Sequence, residues 1–119
     1  SKDTIINKIK KAKTDEKTLP GDNKNLSERP EVENLLGIYS SLSDQKMELT
    51  INEFSGKNFS EFKTKLSELV VEKISPISKE INRIMKDPKY IDDVLSFGSE
   101  SAEKIASKKV KEMKKIMGF

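Results

Sequence analysis

The chain has 119 residues, which fits one domain and leaves no room for a second of ordinary size. Only 34% of the residues are apolar and 36% are charged, so a core requires the apolar positions to fall in regular stripes. The formal net charge is +3, and the absence of both Cys and His excludes disulfides, Cys-ligated metals, His general bases, catalytic triads and His metal sites.

A chain without Cys is most simply placed in a reducing compartment. No stretch approaches the ~18 apolar residues of a membrane span, and no signal-peptide core is present, so no membrane partner is expected.

Apolar spacing predicts helix nearly throughout. Ile5, Ile6, Ile9 and Ala12 follow the rhythm of one helical face. A polar segment follows, with Pro20-Gly21-Asp22-Asn23 as its turn signal, and with little to bury it is expected to be mobile over 16–29. Arg29-Pro30-Glu31 opens a second helix, because proline suits the first helical turn. Its stripe is Val32, Leu35, Leu36, Tyr39 and Leu42. Ser43-Asp44 ends it and starts a short third helix carrying Met47, Ile51 and Phe54, which Ser55-Gly56 stops.

The fourth helix is long, about 60–86. Phe62, Leu66, Leu69, Val70, Ile74, Ile77, Ile81, Ile84 and Met85 recur in it at spacings of three and four. Pro76 removes one donor inside it and predicts a kink near Lys73–Pro76. Asp87 caps and Pro88 begins a fifth helix running to about Met117. Gly98, Ala102 and Ala106 lie four apart in its stripe, which predicts close helix–helix approach. Nothing alternates with period two. The expected class is all-α: a bundle of about five helices with two long C-terminal helices, the first kinked near Pro76.

Charge is uneven along this framework. Over 1–13, five lysines stand against Asp3 and leave +4; over 104–115, six lysines stand against Glu112 and leave +5. The middle is therefore acidic. Basic ends read either as solvated helix faces or as a phosphate-facing surface. Phe54, Phe59 and Phe62 fall on core positions, so no base-stacking platform is expected.

No motif runs a reaction. There is no Gly-rich phosphate loop. Asp92-Asp93 are adjacent on a helix and point apart, so they form no acid/base dyad. Asp15-Glu16 reads as surface charge rather than a metal site. No catalytic residue and no metal ligand is assigned. From its residues alone the chain is a binding or scaffolding domain.

Several segments resemble one family. Lys8-Ile9-Lys10-Lys11-Ala12-Lys13-Thr14-Asp15 is similar to the helix after the signature lysine loop of bacterial-type tryptophanyl-tRNA synthetases, which are class I aminoacyl-tRNA synthetases. Arg29-Pro30-Glu31-Val32-Glu33-Asn34-Leu35-Leu36 resembles their Pro-x-x-x-Asn-Leu-Leu helix. Phe54-Ser55-Gly56-Lys57 with Phe62-Lys63 resembles their Gly-Lys turn and the helix after it. Val70–Glu72 with Pro76-Ile77, then Val94-Leu95 with Gly98, Glu100, Ala102 and Ala106, continue the match, and Met117-Gly118-Phe119 resembles the family's C-terminus. Ser99 and Ser101 stand where the family has Ala and Lys, so no role of that Lys carries over.

The resemblance implies a C-terminal α-helical, anticodon-binding domain over 1–119. It comprises a helix at 1–15 following the lysine loop, a mobile loop at 16–29 and a bundle at 30–119. The Rossmann-type catalytic domain is absent. The chain starts on Ser1-Lys2-Asp3 without an initiating Met, and is expected to be part of a larger protein. By resemblance, the parent is an ATP-dependent tryptophan–tRNA ligase using Mg²⁺, and this fragment alone is inactive and holds no cofactor. The implied partners are tryptophan tRNA and the catalytic domain of the same enzyme. The parent is expected to be a homodimer through the missing part, the fragment monomeric, and the location the cytoplasm or an organelle matrix. Candidate RNA contacts are Lys8, Lys11, Arg29, Lys108, Lys111 and Lys115. For Arg29 an internal salt bridge competes with that role. The competing class is a free-standing helical protein-interaction module with no RNA role.

Overall fold

The computed structural model describes residues 1–119, and the expected all-α class is found: five α-helices and no strand. They are α1 (Lys2–Lys11), α2 (Pro30–Ser43), α3 (Met47–Phe54), α4 (Phe59–Met85) and α5 (Pro88–Met117), with a 3₁₀ turn at Leu26–Glu28 before α2. The chain divides into two compact units, Ser1–Ser78 and Lys79–Phe119.

Local chemistry sets the helix ends. The Ser1 hydroxyl accepts from the Thr4 N–H and caps α1, while Lys8, Lys10 and Lys11 crowd its last turn, where cations suit the helix dipole. Pro30 takes the first position of α2, and Asp44 ends it in the left-handed conformation at φ 56°. The Asn58 side chain accepts from the Glu61 N–H at 2.9 Å and caps α4. Asp87 accepts from the Tyr90 N–H at 3.1 Å at the head of α5, and Gly118 closes it at φ 80°. Pro76 lies within α4, which is helical on both sides of it.

In the first unit, Leu19, Leu26, Val32, Leu35, Leu36, Ile51, Phe54, Phe62 and Leu66 form one buried core. Phe54 and Phe62 are fully buried and meet edge to face, with centroids 4.8 Å apart and planes at 76°. Tyr39 meets Phe54 in the same manner at 4.8 Å and 84°. Such geometry sets the positive ring edge against the negative ring face. Three helices are fixed to each other by this cluster, because Tyr39 comes from α2, Phe54 from α3 and Phe62 from α4. Phe59, also expected in the core, is half-buried against it.

The segment before α2 carries more structure than its polarity suggested. Leu19 and Leu26 are core residues, so two apolar side chains sufficed to dock a stretch that reads as having little to bury. The Leu19 N–H donates to the Lys57 carbonyl and the Gly56 N–H donates to the Leu19 carbonyl, both at 3.1 Å, so the segment is stitched to the turn after α3. The backbones approach closely there: a Cβ on Gly21 would lie 2.9 Å from the Ser55 hydroxyl, which would have to turn aside.

In the second unit, α5 buries no residue. Its apolar positions are open to solvent, Ile105 being 68% and Ile116 86% exposed. The close approach expected at Gly98 is not made, since a Cβ there would meet nothing within 4 Å. Small-residue spacing marks a face fit to receive a neighbour and does not specify which neighbour.

Two stability changes follow from the core. Phe54→Ala empties the centre of the aromatic cluster and should cost about 3–5 kcal/mol in urea unfolding. Thr50 is fully buried and its hydroxyl has no hydrogen-bond partner. Thr50→Val should therefore be neutral or raise stability, by up to about 1 kcal/mol, because it removes an uncompensated polar atom while keeping the shape.

Candidate nucleic-acid interface

The residues expected to face phosphate divide between the units: Lys8, Lys11 and Arg29 lie in the first, and Lys108, Lys111 and Lys115 in the second. The five lysines are all exposed, and none has a carboxylate within 4.0 Å. They are charges that the fold does not use.

On α5 the spacing is regular. Lys108, Lys111 and Lys115 fall at intervals of three and four, so they share one helical face. Lys104 lies four residues before Lys108 and extends the same row. Sequence reading placed Lys104 in the basic run without choosing it, although the interval was there to be read. At 1.5 Å per residue the row from Lys104 to Lys115 is roughly 16 Å long. It lies about a third of a turn around the helix from Ile91, Leu95 and Ile105. Lys109 lies off the row and pairs with Glu112 at 3.5 Å.

On α1, Lys8 and Lys11 are three apart and face solvent beside the half-buried Ile9 and Ala12. The position of this helix depends on a lysine that sequence reading left without a role. Lys63 of α4 donates from its ammonium to the Ala12 carbonyl at 2.6 Å. It also reaches the Lys10 carbonyl at 3.4 Å and the Thr14 hydroxyl at 3.3 Å. A cation here satisfies carbonyls that the helix end leaves unpaired and suits the negative end of the dipole. Only the Phe62-Lys63 motif pointed to this residue, and it carried no hint of the partner.

Arg29 differs from the lysines. Its Nε–H donates to Asp15 Oδ2 at 2.6 Å and its Nη2 donates to Asp15 Oδ1 at 2.7 Å. Nη1 donates to the Thr18 carbonyl at 3.0 Å, and Nη2 also reaches the Lys17 carbonyl at 3.5 Å. The guanidinium thus buckles the segment before α2 from inside, with only 16% of its side chain exposed. Of the two roles weighed for Arg29, the structure supplies the internal salt bridge. The Arg29 hydrogen bonds hold the Asp15 carboxyl below its ordinary 3.8, aided by the Lys17 N–H and opposed by partial desolvation.

No protein-family model matches the chain. Individual proteins do. Over 117 residues it is 47% identical to the tryptophan–tRNA ligase of Agrobacterium fabrum and 45% identical to that of Rhizobium meliloti. Each match covers 98% of this chain and 33% of the relative. Against the tryptophan–tRNA ligase of Rickettsia typhi it is 41% identical over 119 residues, all of this chain and 36% of that protein. The chain therefore spans about a third of the length of the relatives it matches. The resemblance to bacterial-type tryptophanyl-tRNA synthetases that the motifs suggest extends along the whole sequence.

The Asp15–Arg29 pair has a pH signature. Because folding depresses the Asp15 pKa, its contribution is present above the unfolded value and is lost as pH falls through the folded one. Acid titration of stability below about pH 4 should therefore show a component that Asp15→Asn removes. Arg29→Lys, which loses the bidentate geometry, should lower stability by about 1 kcal/mol or less, since the pair is partly solvated.

Proposed function

We propose that this chain is the C-terminal helical domain of a tryptophan–tRNA ligase and that it holds the backbone of tryptophan tRNA. The parent activates tryptophan with ATP and passes it to the tRNA. The chain by itself is inactive in that reaction. The observation that carries this reading is the 47% identity to a tryptophan–tRNA ligase across 98% of the chain. The unpaired lysine rows on α1 and α5 support it chemically.

Anticodon bases are unpaired, so their edges are within reach of a helical surface whose cations grip the neighbouring phosphates. Lys8 and Lys11 are the phosphate contacts proposed on α1. On α5 they are Lys108, Lys111 and Lys115. Each phosphate neutralised releases counterions, so affinity falls with salt in proportion to the number of contacts. The Arg29 guanidinium acts indirectly by shaping the segment before α2.

On this reading ATP and Mg²⁺ serve the reaction of the parent enzyme, and no role in holding them is proposed for these residues. No group of three acidic side chains converges here in a way that would hold a metal ion. The role proposed for α1 is mechanical. It follows the lysine loop by resemblance and is pinned at its far end by Lys63, so motion of the first unit is passed toward that loop.

Titration of the chain with tryptophan tRNA at two salt concentrations tests the reading. Binding should be weak and salt-sensitive. Replacing Lys108, Lys111 and Lys115 together by Gln should lower affinity and reduce the log–log salt slope by about 2 to 3, at roughly 0.7–0.9 per contact. Absence of binding at low salt would return the chain to the class of helical protein-interaction modules.

A further inference from the structure

We propose that the cavity formed by the segment before α2 takes one phosphate of the tRNA backbone between Lys17 and Lys24. The inference rests on the tRNA reading and adds a contact that lies on neither α1 nor α5. Every wall of the cavity comes from residues 17–29, within the first unit.

The cavity has a volume of about 310 Å³, and its shape is fixed without a ligand. Leu26 lines it and is anchored in the core, as is Leu19 next to the lining residue Pro20. Arg29 lines it and is clasped by Asp15 and the Thr18 carbonyl. Two aspartates set the backbone from which the lysines project. Asp15 Oδ1 accepts from the Lys17 N–H and Asp22 Oδ1 accepts from the Lys24 N–H, both at 3.0 Å. Asn25 then takes the left-handed conformation at φ 62°, which asparagine tolerates. A site held in shape beforehand loses little freedom when a ligand enters.

The charges of the lining select the ligand. Arg29 is already matched by Asp15. Lys17 and Lys24 are exposed, and neither has a carboxylate within 4.0 Å. Glu28 is the one carboxylate in the lining. Two free ammoniums against one carboxylate leave the concave surface positive, and concavity concentrates that field. No aromatic ring lines the cavity, so it offers no platform for a base. An ammonium is a compact point charge that meets a phosphate oxygen without a fixed angle. The ligand that fits is therefore a backbone phosphate, gripped without regard to sequence. Glu28 repels it and keeps the contact weak.

Lys17→Gln with Lys24→Gln should lower the affinity of the 119-residue chain for tryptophan tRNA at least about threefold at low salt. It should also reduce the log–log salt slope by roughly 0.7–0.9, the value for one phosphate. Glu28→Gln should raise the affinity. Lys46→Gln with Lys73→Gln removes the same charge from exposed positions of the first unit outside the cavity, and should leave the slope unchanged. Equal losses from the two double variants would overturn the proposal, as would an unchanged slope for Lys17→Gln with Lys24→Gln. In both cases binding by the unaltered chain would leave the tRNA reading standing, whereas no binding by the unaltered chain would overturn both. Acylation of Lys17 and Lys24 separates the sources of phosphate. The tRNA should protect both lysines at low salt, and inorganic phosphate at the same ionic strength should not. Protection by inorganic phosphate alone would assign the cavity to a free phosphate and overturn the backbone contact.

Discussion

The edge-to-face contact between Phe54 and Phe62, joined by Tyr39, is the interaction on which the first unit depends. A chain with more charged than apolar residues has little material for a core. It concentrates what it has in one cluster where α2, α3 and α4 meet. The other core residues extend that cluster outward: Val32, Leu35 and Leu36 along α2, Ile51 on α3, Leu66 on α4. Leu19 and Leu26 then attach the long connection before α2 to the same centre. Aromatic rings suit this task because each brings a large apolar area with few rotatable bonds.

Once the core is set, the basic residues fall into two populations. Lys63 and Arg29 are bound internally, one to the end of α1 and the other to Asp15 and two carbonyls. Their donors hold elements in place. The lysines on the outer faces of α1 and α5 have no such partners. A charge that neither pairs nor packs adds self-repulsion and little stability, which is why the regular row on α5 reads as a surface for a polyanion.

The helices were legible because their stripes are strongly periodic and their ends carry plain signals. Pro30, Asp44, Asp87 and Gly118 all sit where the chain pattern placed a boundary. The core positions on α2, α3 and the first half of α4 followed from the same stripes. The connection before α2 was less legible. Its order comes from two isolated leucines, a reciprocal pair of backbone bonds at Leu19, and an ion pair between residues 14 apart. None of these has a period. Lys63 was hidden for a related reason, since its acceptors lie about 50 residues away on α1. On α5 the stripe was read correctly as apolar, but a stripe states only that a face is to be covered. The lysines were visible as a run, and the helical interval then sorted Lys104, Lys108, Lys111 and Lys115 from Lys109.

The most direct test is lysine reactivity mapped residue by residue, with and without tryptophan tRNA at low salt. Lys8, Lys11, Lys108, Lys111 and Lys115 should react freely alone and be protected when the tRNA is added. The ammonium of Lys63, bonded at the end of α1, should react slowly in both conditions. Equal reactivity of the five exposed lysines with and without the tRNA would contradict a phosphate-gripping role for these rows.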